Sequence, residues 1–202
     1  MSNKSKFPKI FLWAGSLAII LAIVAAVVIQ RAHHSRADLP VYGTVPDFTY
    51  VNQDGQPFDQ SDLQGKVTVL EFFFTSCQGP CPVMNMRMAE LYKQYQSTDA
   101  VQFVSISVDP ARDSLTALKA YSHRYGVTDH RWNFLRGPLQ DVEDLSVKGF
   151  KLGGNFPAGH STRFVLIDGD GRIRGYYRSL DQASLGVLQD HIRLLARARG
   201  QT

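Results

Sequence analysis

The pattern of apolar and polar positions divides the chain into three stretches. Ile10 to Ile29 is twenty residues without a charge, rich in Ile, Leu, Ala and Val. At helical rise this run matches a bilayer core of about 30 Å and predicts a single transmembrane helix. A secretory signal has a shorter apolar core, about 7 to 15 residues, and no clean small-x-small cleavage site follows the run before Arg31. Residues 30–45 read as a short polar tether, leaving residues 1–9 as a cytoplasmic N-terminus. In residues 46–202, short apolar runs alternate with segments of helical spacing, the pattern of one α/β domain.

Within that domain, Pro46 to Phe58 places Asp54-Gly55 between two short apolar stretches and predicts an N-terminal hairpin. Lys66 to Phe74 reads as a central buried strand. A helix follows from Pro82 to about Gln96, with Pro82 tolerated where no amide donor is needed. Val101 to Val108 is a second β-branched strand. Leu115, Leu118 and Tyr121 mark a helix over Ser114 to Tyr125, capped by Asp113 and stopped by Gly126. A short strand around Trp132 to Leu135 and a helix around Leu139 to Val147 come next. Arg163 to Ile173 is a hairpin turning at Asp168-Gly169-Asp170-Gly171, and Ala183 to Ala198 is an amphipathic helix with Leu185, Leu188, Ile192 and Leu195 on one side. Crossover strands, then an antiparallel pair and a final helix, predict a thioredoxin-like α/β sandwich with an N-terminal hairpin.

Charge adds little to this picture. The net charge of +4 and pI near 9.1 raise nucleic acid as a partner, but the basic residues are scattered and gather only at Arg193, Arg197 and Arg199. A solvated face on the last helix explains them, and no nucleic-acid partner is expected. Lys4, Lys6 and Lys9 precede the apolar run while Arg31 and Arg36 follow it, a modest positive-inside bias that places the domain outside the cytoplasm.

Chemistry enters at Thr75-Ser76-Cys77-Gln78-Gly79-Pro80-Cys81-Pro82, which holds the only two cysteines of the chain. They fall where a strand feeds a helix, and the partial positive charge of a helix N-terminus favours thiolate. Three residues separate them, against two in thioredoxin-type redox motifs, so the pair is set wider and can grip one metal ion without forming a disulfide. A purely structural disulfide is possible outside the cytoplasm, but so short a loop gains only about 2 kcal/mol. Structural zinc wants four closed ligands, and there is no third cysteine. No motif of a thiol peroxidase is present. Met84 and Met88 sit at helical spacing after Cys81 and read as core packing, with Met86 on another face. His123 and His130 read as surface residues, His191 lies on the last helix, and His33 and His34 flank the membrane run.

Three segments together resemble the Sco/SenC copper chaperones of cytochrome c oxidase assembly: Phe74 to Pro82, Ser107-Val108-Asp109-Pro110-Ala111-Arg112-Asp113, and Gly159-His160-Ser161 leading into the late hairpin. The resemblance covers about residues 46 to 197 in element order, a single-domain length. It implies that Cys77, Cys81 and His160 bind copper, as Cu(I) or Cu(II), on a thioredoxin fold. Thiolates are soft ligands suited to Cu(I), and one imidazole completes a three-ligand site. Asp109 is a candidate to orient the site from behind, and Arg112 to pair with a carboxylate. Family members often carry an acidic residue directly before the histidine, where this chain has Gly159.

The expected function is therefore a single-pass inner-membrane copper metallochaperone, its domain on the periplasmic side, which delivers copper to the Cu(A)-bearing subunit of a respiratory oxidase. It is not expected to be an enzyme in the turnover sense. The alternative is an extracytoplasmic thiol-disulfide oxidoreductase using the Cys77 and Cys81 pair to keep target cysteines reduced.

Overall fold

A computed structural model describes residues 19–25, 39–154, 156–157 and 159–199. Of the apolar run assigned to the membrane, residues 19–25 are helical, with Ile19, Ile20, Leu21, Ile23 and Val24 exposed. The rest of that span lies outside the described residues, as do Lys4, Lys6, Lys9, Arg31, His33, His34 and Arg36. Among the described residues no helix is long and apolar enough to cross a membrane.

Residues 39–202 form a unit of their own. Its strands are β1 (Gly43–Thr44), β2 (Thr49–Val51), β3 (Pro57–Asp59), β4 (Val67–Phe73), β5 (Val101–Ser107), β6 (Trp132–Leu135), β7 (Arg163–Ile167) and β8 (Arg172–Arg178). Its helices are α1 (Cys81–Gln94), α2 (Leu115–Arg124), α3 (Leu139–Asp144) and α4 (Gln182–Arg199), with a 3-10 turn at Gln60–Leu63 and a π turn at Leu145–Gly149. The main sheet runs β1-β8-β7-β4-β5-β6. Its parallel half, β4-β5-β6, joins an antiparallel half through the β4–β7 pair, while β2 and β3 make the separate hairpin. This is the predicted thioredoxin-like α/β sandwich.

Strand alternation sorts the core into two layers. Leu70 and Phe72 face one side with Val104, Ile106, Val165 and Phe150, under the hairpin and α3. Residues 69, 71 and 73 face the other, where Phe73 meets Tyr121 of α2 at 5.3 Å between ring centroids and Tyr92 of α1 meets Trp132 at 5.7 Å. β4 and β5 are buried along their whole length, because both sheet faces are covered.

Two boundaries move relative to the sequence reading. Leu39 to Val45, placed in the tether, lie along the sheet: Tyr42 and Val45 donate to the carbonyls of Ile173 and Gly171, and Arg174 donates to those of Leu39 and Pro40. The cap of α2 is Ser114, whose Oγ accepts from Ala117 N–H at 3.2 Å, and not Asp113. Asp113 is withdrawn from that role because it is fully buried and bonded elsewhere.

Candidate metal centre

The loop from Phe74 to Pro80 leaves the C-terminal end of β4, the edge at which open α/β sheets place their sites. Cys77 lies in it half-buried, and Cys77 N–H donates to the Phe74 carbonyl. Cys81 is the first residue of α1 and is fully buried. Both are free thiols. His160, 79 residues further on, closes over them from the segment before β7. Its Nε2 is 3.3 Å from Cys81 Sγ. The ligand atoms of Cys77, Cys81 and His160 all lie within 4.8 Å of one another, so residues distant in sequence converge on one point.

The histidine is preset as a ligand. Its Nδ1 is 3.1 Å from the Ser161 carbonyl oxygen, which only accepts, so that nitrogen carries the hydrogen and the Nε2 lone pair is left facing the cysteines. Phe74 packs edge-on against the ring at 5.5 Å between centroids. Burial lowers the His160 pKa, which keeps the imidazole neutral.

For Cys81 the expectation of a ready thiolate is corrected. Burial, the largest cause, pushes its pKa strongly up, and the neighbouring Cys77 adds to the effect. A helix terminus contributes at most about 2 kcal/mol, under two pKa units, whereas burial can shift a group by about 3 to 5. The pair therefore rests as a thiol at Cys81 and releases its proton when a cation arrives.

The loop is held from below by Asp113. Its carboxylate accepts from Thr75 N–H (3.2 Å), Thr75 Oγ1–H (2.5 Å) and Ser107 Oγ–H (2.5 Å). This ties the residue two before Cys77 to the end of β5. Asp109, proposed for that task, is instead paired with Arg112 at 3.3 Å. Among the described residues no hydrogen bond joins its side chain to the cysteine loop. Arg136 accounts for the rest of the turn by donating to the Pro110 carbonyl at 2.9 and 3.1 Å.

The remaining candidates fall where the sequence places them. Met84 and Met88 are fully buried core residues, and Met86 is exposed. His123 and His130 are on the surface, and His191 Nδ1 is 2.6 Å from Tyr177 Oη. A residue that periodicity passed over is Glu71, fully buried in β4. Its signal was a carboxylate inside an otherwise apolar strand, a local conflict of the kind that marks special sites.

The chain is 32% identical over 149 residues to the SCO1 protein homolog of Bacillus subtilis, covering 70% of this chain and 77% of the relative. A SCO1/SenC family lipoprotein from Bacillus anthracis superposes with a TM-score of 0.70 at 37% identity, covering 77% of this chain and 96% of that one. BsSco, a member of the Sco family of cytochrome c oxidase assembly proteins, does so at 0.68 and 29%, over 79% and 96%. The SCO1/SenC family model matches residues 38–193, which include both cysteines and the histidine, and the chain belongs to that family.

Proposed function

We propose that this protein is a membrane-anchored copper carrier that serves assembly of the Cu(A) centre of a respiratory oxidase. The observation that carries the reading is the convergence of two thiols and a neutral imidazole within 4.8 Å. Two sulfurs and one nitrogen suit Cu(I) and tolerate Cu(II), and they leave a metal reachable from the half-buried Cys77 side. Copper is cargo here: it displaces the thiol protons, is held by Cys77, Cys81 and His160, and leaves to a deeper ligand set. No substrate is turned over. Membership of the family and the likeness to BsSco support the oxidase connection.

The test is a Cu(I) titration of the full chain against a competing chelator. One copper per chain is expected, Cys77→Ser or Cys81→Ser should abolish tight binding, and His160→Ala should weaken it, most for Cu(II). Binding by Cys77→Ser at parental strength would refute the assignment.

A second reading, thiol-disulfide exchange on an oxidase subunit, is favoured by the likeness to BsSco, whose structure is described as identifying a disulfide switch. Loss of His160 separates the two, since exchange needs sulfur and no imidazole. Normal Cu(A) loading in cells with His160→Ala, together with failure when either cysteine is lost, would favour exchange.

A further inference from the structure

Glu71, on the strand that feeds the cysteine loop, is a fully buried carboxyl, and unlike the equally buried Asp113 it has one oxygen without a hydrogen-bond partner among the described residues. It shares its face of the sheet with Phe73 and stands opposite Ser105 in the β4–β5 register. Oε1 accepts from Ser105 Oγ at 2.8 Å, and Ser105 Oγ in turn accepts from Trp132 Nε1–H at 2.9 Å. Oε2 has no partner among the described residues. Among the described residues no ion pair or hydrogen bond joins Glu71 to a cation. The buried face of α1 carries Cys81 and Asn85, α2 contributes Tyr121, β5 Ser105 and β6 Trp132. Cys81 and Tyr121 are the titratable groups that feel its charge, and burial raises the pKa of both.

A carboxylate in such a place, half-bonded and without a counter-ion, is costly to ionise, and the group avoids the cost by keeping its proton. Burial accordingly pushes Glu71 up to about 8, against the smaller opposing effect of the Ser105 hydrogen bond. A glutamine would fill the same space and keep the Ser105 contact without this cost. What distinguishes the acid from the amide is that it can acquire a charge, and that charge reaches Cys81, one of the metal ligands.

That charge matters differently for the two copper states. Replacing two thiol protons by Cu(I) changes the charge of the site from zero to minus one, whereas replacing them by Cu(II) leaves it at zero. We propose that Glu71 couples Cu(I) loading to a proton: the acid keeps its hydrogen while the centre carries the extra negative charge, and an ionised Glu71 opposes that load but is indifferent to Cu(II). The inference rests on the copper reading above and adds to it a residue outside the ligand set. By linkage, Cu(I) binding at alkaline pH should take up one proton at Glu71, against the two released from the thiols.

The test compares the full chain with Glu71→Gln in chelator-competition titrations of Cu(I) and of Cu(II) between about pH 6 and about pH 10. For Cu(I), the ratio of wild-type Kd to variant Kd should be near one at the acid end. It should rise by up to about tenfold per pH unit above the Glu71 pKa. For Cu(II) it should stay flat. The infrared carbonyl band of a protonated carboxylic acid, absent in Glu71→Gln, should vanish from the metal-free wild type over the same pH range. A flat Cu(I) ratio, or an equal rise for both ions, would overturn the proposal while leaving copper binding intact. Failure of both proteins to bind copper at any pH would overturn the copper reading and this inference with it. Ser105→Ala guards against a misfolded glutamine variant: losing the hydrogen bond that lowers Glu71 should move the infrared transition and the onset of Cu(I) weakening together to higher pH. An unmoved onset would also overturn the proposal.

Discussion

Asp113→Ala tests whether the cysteine loop is positioned from the second strand. The carboxylate is fully buried and accepts three hydrogen bonds, two from Thr75 and one from Ser107. Hydrogen bonds to a charged acceptor contribute about 1.5 to 3 kcal/mol each, and orphaned buried donors keep their desolvation cost. Because the three share one acceptor their effects are not additive, and a loss of about 3–5 kcal/mol is expected. Asp113→Asn keeps the shape but turns one acceptor into a donor facing donors, which should cost about 1–3 kcal/mol. A domain with about 5–15 kcal/mol to lose stays folded in most of that range, so the copper assay remains readable. Freed from Asp113, Thr75 no longer fixes the path into Cys77, and Cu(I) affinity should fall by about 10- to 100-fold, as when a residue supporting a metal ligand is removed. Urea unfolding and chelator competition on the same samples give both numbers. A destabilisation under about 1 kcal/mol with unchanged affinity would show that the loop holds its shape without this anchor.

Three further outcomes follow from particular contacts. Ser114→Ala, which removes the cap of α2, should cost about 1 kcal/mol in urea unfolding and leave copper affinity unchanged. Arg174→Met breaks a buried 2.6 Å pair with Asp168 and frees the carbonyls of Leu39 and Pro40. With Arg172 still on Asp168 at 2.9 Å, the loss should be about 2–4 kcal/mol, and limited proteolysis should newly cut residues 39–45. Glu71 also predicts a pH slope: its folded pKa of about 8 lies above the ordinary 4.5, so stability is full below about pH 4.5 and declines as pH rises toward 8. The total is up to about 5 kcal/mol, and Glu71→Gln should flatten that slope in denaturant midpoints measured at the two ends of the range.

What the sequence disclosed depended on how local each signal was. The strands at Val67–Phe73 and Val101–Ser107 and the terminal helix rest on apolar periodicity within about ten positions and are found within a residue or two. The two hairpins turn where the turn residues place them, but their ends shift: the first pairs only from Thr49, and the second runs on past Ile173 to Arg178. The cysteines were legible because their spacing and the prolines around them are contiguous. His160 was reachable only through the family resemblance, since nothing local marks a ligand 79 residues from its partner. Asp113 was misplaced for a related reason. An aspartate one or two residues before a helical pattern satisfies the capping rule as well as Ser114 does, and only the β4–β5 pairing, which brings Thr75 beside Ser107, shows which acceptor is taken. Leu39 to Val45 read as tether because they are short and have no alternation of their own. Their order comes from β8, not from themselves.

The same distinction governs the chemistry of the centre. The helix N-terminus at Cys81 is a local feature, and taken alone it favours a reactive thiolate. Burial of that thiol, with Cys77 beside it, is a property of the assembled fold and acts in the opposite sense with greater force. A site in which both effects act holds its protons against water and gives them up to a soft cation that brings its own positive charge. His160 strengthens this selection, because its buried ring is kept neutral and its Nε2 lone pair is directed inward before any metal arrives. A thiol-disulfide exchange centre needs the reverse, an accessible thiolate at neutral pH. On electrostatic grounds, then, the burial that contradicts the local reading of Cys81 favours capture of a metal over general thiol exchange. The half-buried Cys77 is the more accessible of the two sulfurs.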